Sequence, residues 1–392
     1  MRGGTRKRAL RSRSVQGKEM SRRDFLKKGG KLGLAAAALG TSGLLRTPPA
    51  WAVKSLKGSG EVIFCGWGGS YQDAQREVFF EPFTKETGIK VIDTTMPSTS
   101  KVKAQIDSGN VEWDTAHLGI ISTMLLGEKY LQKLDYGYFR DEDYKNIPEE
   151  FRRPLICGSY LFPNVIAFNT KKFPKGNQPD SWADFIDFKR FPGKRMFYTA
   201  VGGGWFQVEA ALMGMGVSRD KVFPPDMKKA WAFYDALKPH CIKWWIEGAV
   251  PIQGLQNGEV DVTMAYSARI QKLIDEGQPF GFTWNGGIIG DIGWSVLKGA
   301  KNATNAMKLI AYCSRADLQG KLADRFPYGP ANLEAVKYVK PERRPQLPTA
   351  PENFKKQILV NWDWQFAKTV DPSGQKSNRE YLAEEFQAWL LK

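Results

Sequence analysis

The chain has 392 residues, more than one compact core usually holds, so two folded units are expected. Hydrophobic residues make up 42% and charged residues 25%, the balance of an ordinary globular protein rather than a disordered one. The net charge of +16 argues against a nucleic-acid partner once it is divided: residues 1–52 hold 13 Lys/Arg against 2 Asp/Glu, which leaves +5 for everything after them.

The chain opens on a basic segment that contains Ser21-Arg22-Arg23-Asp24-Phe25-Leu26-Lys27. A Gly- and Ala-rich apolar stretch from Leu32 to Leu39 follows, too short to span a bilayer, and then the small-x-small sequence Ala50-Trp51-Ala52. The motif resembles the twin-arginine export signal, with Arg22 and Arg23 as its arginine pair. That resemblance implies a signal peptide over 1–52, cleavage at the Ala50/Ala52 site, and export of the folded chain to the periplasm by the twin-arginine translocase. No cysteine stands at the cleavage site, so no lipid anchor is expected. Met20 directly precedes the motif, which leaves initiation at Met1 or Met20 open. Beyond residue 52 no run of about 20 apolar residues occurs, so no spanning helix is expected there.

Strand and helix patterns then alternate. Glu61 to Cys65 reads as a strand ending in Gly66-Trp67-Gly68-Gly69, and Ser70 opens a helix with Asp73 at the capping-box position. Val78, Phe79 and Phe83 give that helix a buried face, and Gly88 ends it. Ile89–Ile92 is a strand, a helix carries Val102 and Ile106, and Trp113–Ala116 begins another strand. This βαβαβ order predicts a parallel sheet with helices on its faces. A second series starts with strand Val165–Phe168, a Ser181-capped helix, strand Arg195–Tyr198, and helices Val208–Met215 and Lys228–Leu237. Strand Val260–Met264, a helix through Leu273 and Ile274, and an extended Gly-rich segment Ile288–Leu297 follow. Helices are predicted over Asn302–Ser314, Asp317–Arg325 and Arg379–Leu390, and the Pro-rich, charged stretch Lys340–Pro351 reads as a surface loop. Cys65, Cys157, Cys241 and Cys313 lack metal-ligand spacing. They read as small buried hydrophobes or as disulfide partners that sequence cannot pair.

Phe83-Thr84-Lys85-Glu86-Thr87-Gly88-Ile89-Lys90-Val91 resembles the first-lobe signature of the spermidine/putrescine-binding proteins of ABC importers. Ser181–Asp184, Asn257–Val260, Gly286–Ile288, Ala306–Ile310 and Tyr328–Asn332 match the same family in order, so the resemblance covers nearly all of residues 60–392. It implies a two-lobed α/β periplasmic-binding-protein fold (type II) with the ligand cleft at the hinge. Lobe one would be 60–165 plus 290–332, and lobe two 166–289 plus 333–392. The partners implied are a small-molecule ligand and the ABC permease and ATPase subunits, with no cofactor and no metal.

The resemblance also places candidate ligand-binding residues. Trp67 falls where the family carries an aromatic, and Tyr71 lies one turn into the following helix. Gly68, Gly69 and Ser70 offer backbone N–H groups to an anion. Tyr266 ends a strand where the family has a Trp, and Tyr328 matches the family's turn Tyr. Trp364-Gln365 reproduces a family Trp-Gln pair, while Trp205 either borders the cleft or packs in a core. Carboxylates depart from the pattern. Ile292 and Phe206 stand where polyamine binders carry acids, with Asp291 one residue from the first and Glu209 three from the second. Asp114 either points at the cleft or caps the next helix. A polyamine-like or other small amine is the leading ligand, and a small organic anion or zwitterion such as an amino acid derivative is the alternative. Only His117 and His240 are present, and no G-x-S-x-G, Walker or dinucleotide motif occurs, which disfavours an enzyme.

Overall fold

The computed structural model describes residues 53–392 except Gly203. The residues read from sequence as a signal peptide, Arg22, Arg23, Ala50 and Ala52 among them, lie outside the described residues. Three strands open the fold: β1 (Glu61–Gly66), β2 (Lys90–Thr95) and β3 (Thr115–Gly119). β1 pairs in parallel with both β2 and β3, as the alternation predicts. The helix after β1 starts earlier than expected. Gly68, at φ 78, turns the chain directly into the helix Gly69–Gln75, so Ser70 is already inside it and exposed. No side-chain cap forms, and Asp73 pairs with Arg76 instead. A π turn at Arg76–Phe80 and the helix Glu81–Thr87 follow, ended by Gly88 in the left-handed region.

Two long strands dominate the middle of the molecule. β4 spans Ile156–Asn169, of which the sequence showed only Val165–Phe168. After β5 (Arg195–Tyr198), β6 (Cys241–Trp245) and β7 (Val262–Tyr266) comes β8, Phe280–Leu297. β4 and β8 run antiparallel. Asn169–Ile166 pairs with Phe280–Thr283, and Asn164–Cys157 pairs with Ile288–Trp294. At one end β8 pairs with β3, and at the other β4 pairs with β7. The two long strands therefore belong to both ends of the sheet. A third chain segment, Ile358–Leu359, runs parallel to Ile288–Ile289. β5 and β6 form a separate parallel pair, joined to β7 where the Thr263 hydroxyl donates to Met196 O (3.0 Å).

Burial follows this division. One core gathers Val62, Phe64, Phe79, Phe83, Trp294, Leu309 and Ile310 around β1 and the later part of β8. A larger one gathers Trp182, Phe185, Phe197, Phe206, Phe233, Met264 and Phe386 around β5 and β7. The stretch Lys340–Pro351 is not wholly a surface loop: Leu347 and Ala350 are buried with Ala323 and Val339. Its apolar residues have the helix Ala316–Arg325 to cover, which its Pro and charge content does not reveal. All four cysteines are unpaired, with Cys65, Cys157 and Cys313 buried. Among the described residues no helix is long and apolar enough to cross a membrane.

Candidate functional site

Strand register decides which side chains of the crossing strands share a face. Tyr160 sits opposite Ile292 and Pro330, and Phe162 is two residues on, so both rings project from one face of β4. Tyr71 from the first helix and Tyr328 from the segment after the helix Ala316–Arg325 close on Tyr160, and Phe326 backs Tyr71 at 5.4 Å. Ring centroids are 4.9 Å for Tyr71–Tyr160, 5.2 Å for Tyr71–Tyr328 and 4.8 Å for Tyr160–Tyr328. Phe162 then meets Tyr266 at the end of β7, 5.3 Å away. From Tyr266 the rings continue to Trp245 (5.3 Å), Tyr198 (5.0 Å), Trp205 (4.7 Å) and Trp362 (5.2 Å). A continuous line of aromatic side chains thus runs from one core, across the long strands, into the other. Tyr71, Tyr266 and Tyr328, drawn from three separate stretches of sequence, are brought together on it. Trp205 is on it too, 4% exposed.

Trp67 stands apart, 47% exposed in the loop leaving β1. Ser70 is exposed, and the Gly68 N–H is already taken by Gln72 Oε1 (2.8 Å). Trp364 packs on Phe223, 5.6 Å away. Asp114 caps rather than faces a ligand: it accepts from Ile63 N (2.8 Å), Asn302 N (2.7 Å) and Asn302 Nδ2 (3.0 Å). His117 is fully buried among Phe64, Trp294 and Tyr160, and burial lowers its pKa to about 3.

The two candidate carboxylates clasp one segment. Asp291 pairs in register with Leu161, so it faces away from Tyr160 and Phe162; from Ile288 to Ile292 the two strands stay in step, so no bulge turns it. Its Oδ1 accepts from Trp362 Nε1 (3.1 Å), and burial raises its pKa to about 6. Glu209, in the first turn of the helix Val208–Gly214, is fully buried and accepts from Asn361 N (3.3 Å). Burial raises its pKa to about 7.

Sequence reasoning missed Arg269. It follows Tyr266 in the helix Ser267–Asp275, is exposed, and makes no ion pair among the described residues. Burial pushes the Tyr266 hydroxyl up to about 12, and Arg269 opposes that rise, as it does for Tyr328. Its position right after a strand end was the available signal. Tyr160 and Phe162, two apart on an extended run, were the signal for the missed rings of β4.

The family model described as bacterial extracellular solute-binding protein matches residues 79–349, and the chain belongs to that family. A gamma-aminobutyric acid-binding protein of Pseudomonas aeruginosa is 31% identical over 354 residues, 88% of this chain and 94% of that protein. A solved ABC transporter substrate-binding protein from Bradyrhizobium japonicum is similar with TM-score 0.73 and 33% identity, covering 84% of this chain and 99% of its own. A solved GABA receptor matches with TM-score 0.71 and 30% identity, covering 84% and 97%. The fold is therefore the α/β periplasmic-binding-protein fold, and the protein is a solute-binding receptor of an ABC transporter, not an enzyme.

Proposed function

We propose that the protein is a periplasmic receptor that captures a small zwitterion, γ-aminobutyrate or a relative with one amine and one carboxylate, and delivers it to its ABC permease. Arg269 carries this reading. An exposed guanidinium without an ion pair, set beside Tyr266 and Tyr328, suits a ligand carboxylate. The electron-rich faces of Tyr71, Tyr160, Tyr328 and Tyr266 suit the ammonium end.

A diamine suits the same surroundings less well. Arg269 would repel one of its charges. The acids a dication needs are missing at Ile292 and Phe206, Asp291 faces away from the tyrosines, and Glu209 is buried against Asn361. The alternative weighed from sequence therefore takes precedence over the polyamine reading, in agreement with the names of the γ-aminobutyrate relatives.

The lobes divide near 60–165 plus 290–332 and 166–289 plus the C-terminal part. The segment up to Ala350 joins lobe one, because Leu347 and Ala350 pack with Ala323. Ligand touching both lobes shifts the population toward the closed form. Export by the twin-arginine route, read from Arg22 and Arg23, places the receptor in the periplasm.

Arg269→Gln tests the reading. Loss of a charge-assisted contact of about 1.5–3 kcal/mol lowers γ-aminobutyrate affinity roughly tenfold to a hundredfold in calorimetric titration. Unchanged affinity would remove the support on which the zwitterion assignment rests.

A further inference from the structure

The helix Ser267–Asp275 begins without a cap. Tyr266 stands at its N-cap position and makes no side-chain cap hydrogen bond, and the first turn holds no acid. It holds Arg269 instead, at the end where the helix dipole disfavours a cation and favours an anion. The Arg269 side chain lies beside the Tyr266 ring: a Cβ built at Gly248 would stand 2.5 Å from Tyr266 Cδ2 and 3.0 Å from Arg269 Nε. The bare Gly248 backbone leaves the room that both occupy.

Two buried polar side chains at this helix end have no partner among the described residues. The Ser267 hydroxyl, in the first helical position, is one, and the residue is 1% exposed. Asn164 is the other: it is fully buried, and neither Nδ2 nor Oδ1 is bonded. Strand register places it. Asn164 sits directly opposite Tyr266 on β7 and Ile288 on β8, so its side chain leaves β4 on the face that carries Tyr160 and Phe162. Phe162, two residues away on that face, meets the Tyr266 ring at 5.3 Å. Asn164 therefore stands beside the residue that opens the helix, within the line of aromatic rings. A buried amide and a buried hydroxyl that make no hydrogen bond forgo hydration without compensation, and a ligand that supplies their partners recovers the loss.

We propose that Asn164 and Ser267 are specificity-determining residues for the ligand's carboxylate, which docks with Arg269 at the N-terminus of the helix Ser267–Asp275. This rests on the zwitterion reading and deepens it. The carboxylate accepts from Asn164 Nδ2, from Ser267 Oγ and from the Arg269 guanidinium, and takes the place of the missing cap. The Asn164 carboxamide also carries an acceptor. An ammonium on the same ligand serves it, whereas a dicarboxylate leaves Oδ1 unmatched and a diamine leaves Nδ2 unmatched.

The test compares the full mature protein with Asn164→Leu, which keeps a branched side chain and loses both polar ends, and with Ser267→Ala. Each is melted without ligand and titrated with γ-aminobutyrate and with 4-aminobutanol, which shares the ammonium and lacks the carboxylate. Both substitutions remove groups that have no partner in the chain, so the melting temperature is expected to hold or rise. The preference for γ-aminobutyrate over 4-aminobutanol is expected to fall about tenfold in each variant. Should Asn164→Leu fail to fold, Ser267→Ala carries the same test. A lowered melting temperature with both ligands weakened by the same factor would assign the two residues to the fold and overturn the subsite. An unchanged preference for the acid in both variants would overturn it too, and the zwitterion reading would stand on the wild type's own binding of γ-aminobutyrate. If the wild type prefers 4-aminobutanol or putrescine to the acid, the zwitterion reading fails, and the subsite with it.

Discussion

Replacing Glu209 by Gln is expected to raise stability by about 3 kcal/mol at pH 8 and to change it little at pH 4. Glu209 is fully buried, and its pKa rises from 4.5 to about 7 because burial penalises the charged form; backbone hydrogen bonds oppose the rise. The folded state therefore holds this proton more tightly than the unfolded chain does. The associated stability is fully present below pH 4.5 and is lost as the pH climbs through 7. Gln is a neutral shape match and can still accept from Asn361 N through its carbonyl oxygen. Asp291 acts in the same direction, from 3.8 to about 6, so some pH dependence persists in the variant. Urea denaturation at pH 4, 6 and 8 measures this. A wild-type-to-variant difference that stays constant across the range would show that folding leaves the Glu209 pKa unshifted.

Trp182→Ala is expected to cost about 3–5 kcal/mol from lost packing alone. The ring is 1% exposed, held 5.4 Å from Phe185 and 6.0 Å from Phe197. It also fastens β8. Trp182 Nε1 donates to Gly286 O (2.8 Å) where β8 breaks its pairing with β4 between Thr283 and Ile288. Gly286 lies at φ 72 with Trp182 Cδ1 only 3.0 Å from where a Cβ would stand, so indole and turn fit without room to spare. Removing the indole opens a cavity and leaves the carbonyl unpaired, which adds about 1–3 kcal/mol if water does not reach it. Trp182→Phe should recover most of the packing and none of the hydrogen bond. A midpoint for the Ala variant within error of wild type would contradict this account of the second core.

Local signals were legible wherever pattern and chain termination agreed. Gly88, Ser181 and the strand Arg195–Tyr198 fall where the sequence puts them. Misses came where tertiary structure overrides local pattern. The first half of β4 is buried on both faces and interrupted by Gly158, Ser159 and Asn164, so it shows no alternation. The capping box at Ser70 and Asp73 lost to the turn that Gly68 permits. For the candidate site, Tyr71, Tyr266, Tyr328 and Trp205 were marked in the sequence, whereas Tyr160, Phe162, Tyr198 and Trp245 were not. The latter rings look like ordinary strand apolars until the fold aligns them. Arg269 carries no local signal of its own in the sequence, and only its place after Tyr266 at the end of β7 distinguishes it.

The most direct measurement is a side-by-side calorimetric titration of the mature protein with γ-aminobutyrate and putrescine. These two share a four-carbon amine and differ at the end assigned to Arg269. Saturable binding of γ-aminobutyrate at one site per chain, with putrescine far weaker, is the predicted result. Tight putrescine binding with an inert amino acid would place a dication beside the unpaired Arg269 guanidinium and contradict the account at its base.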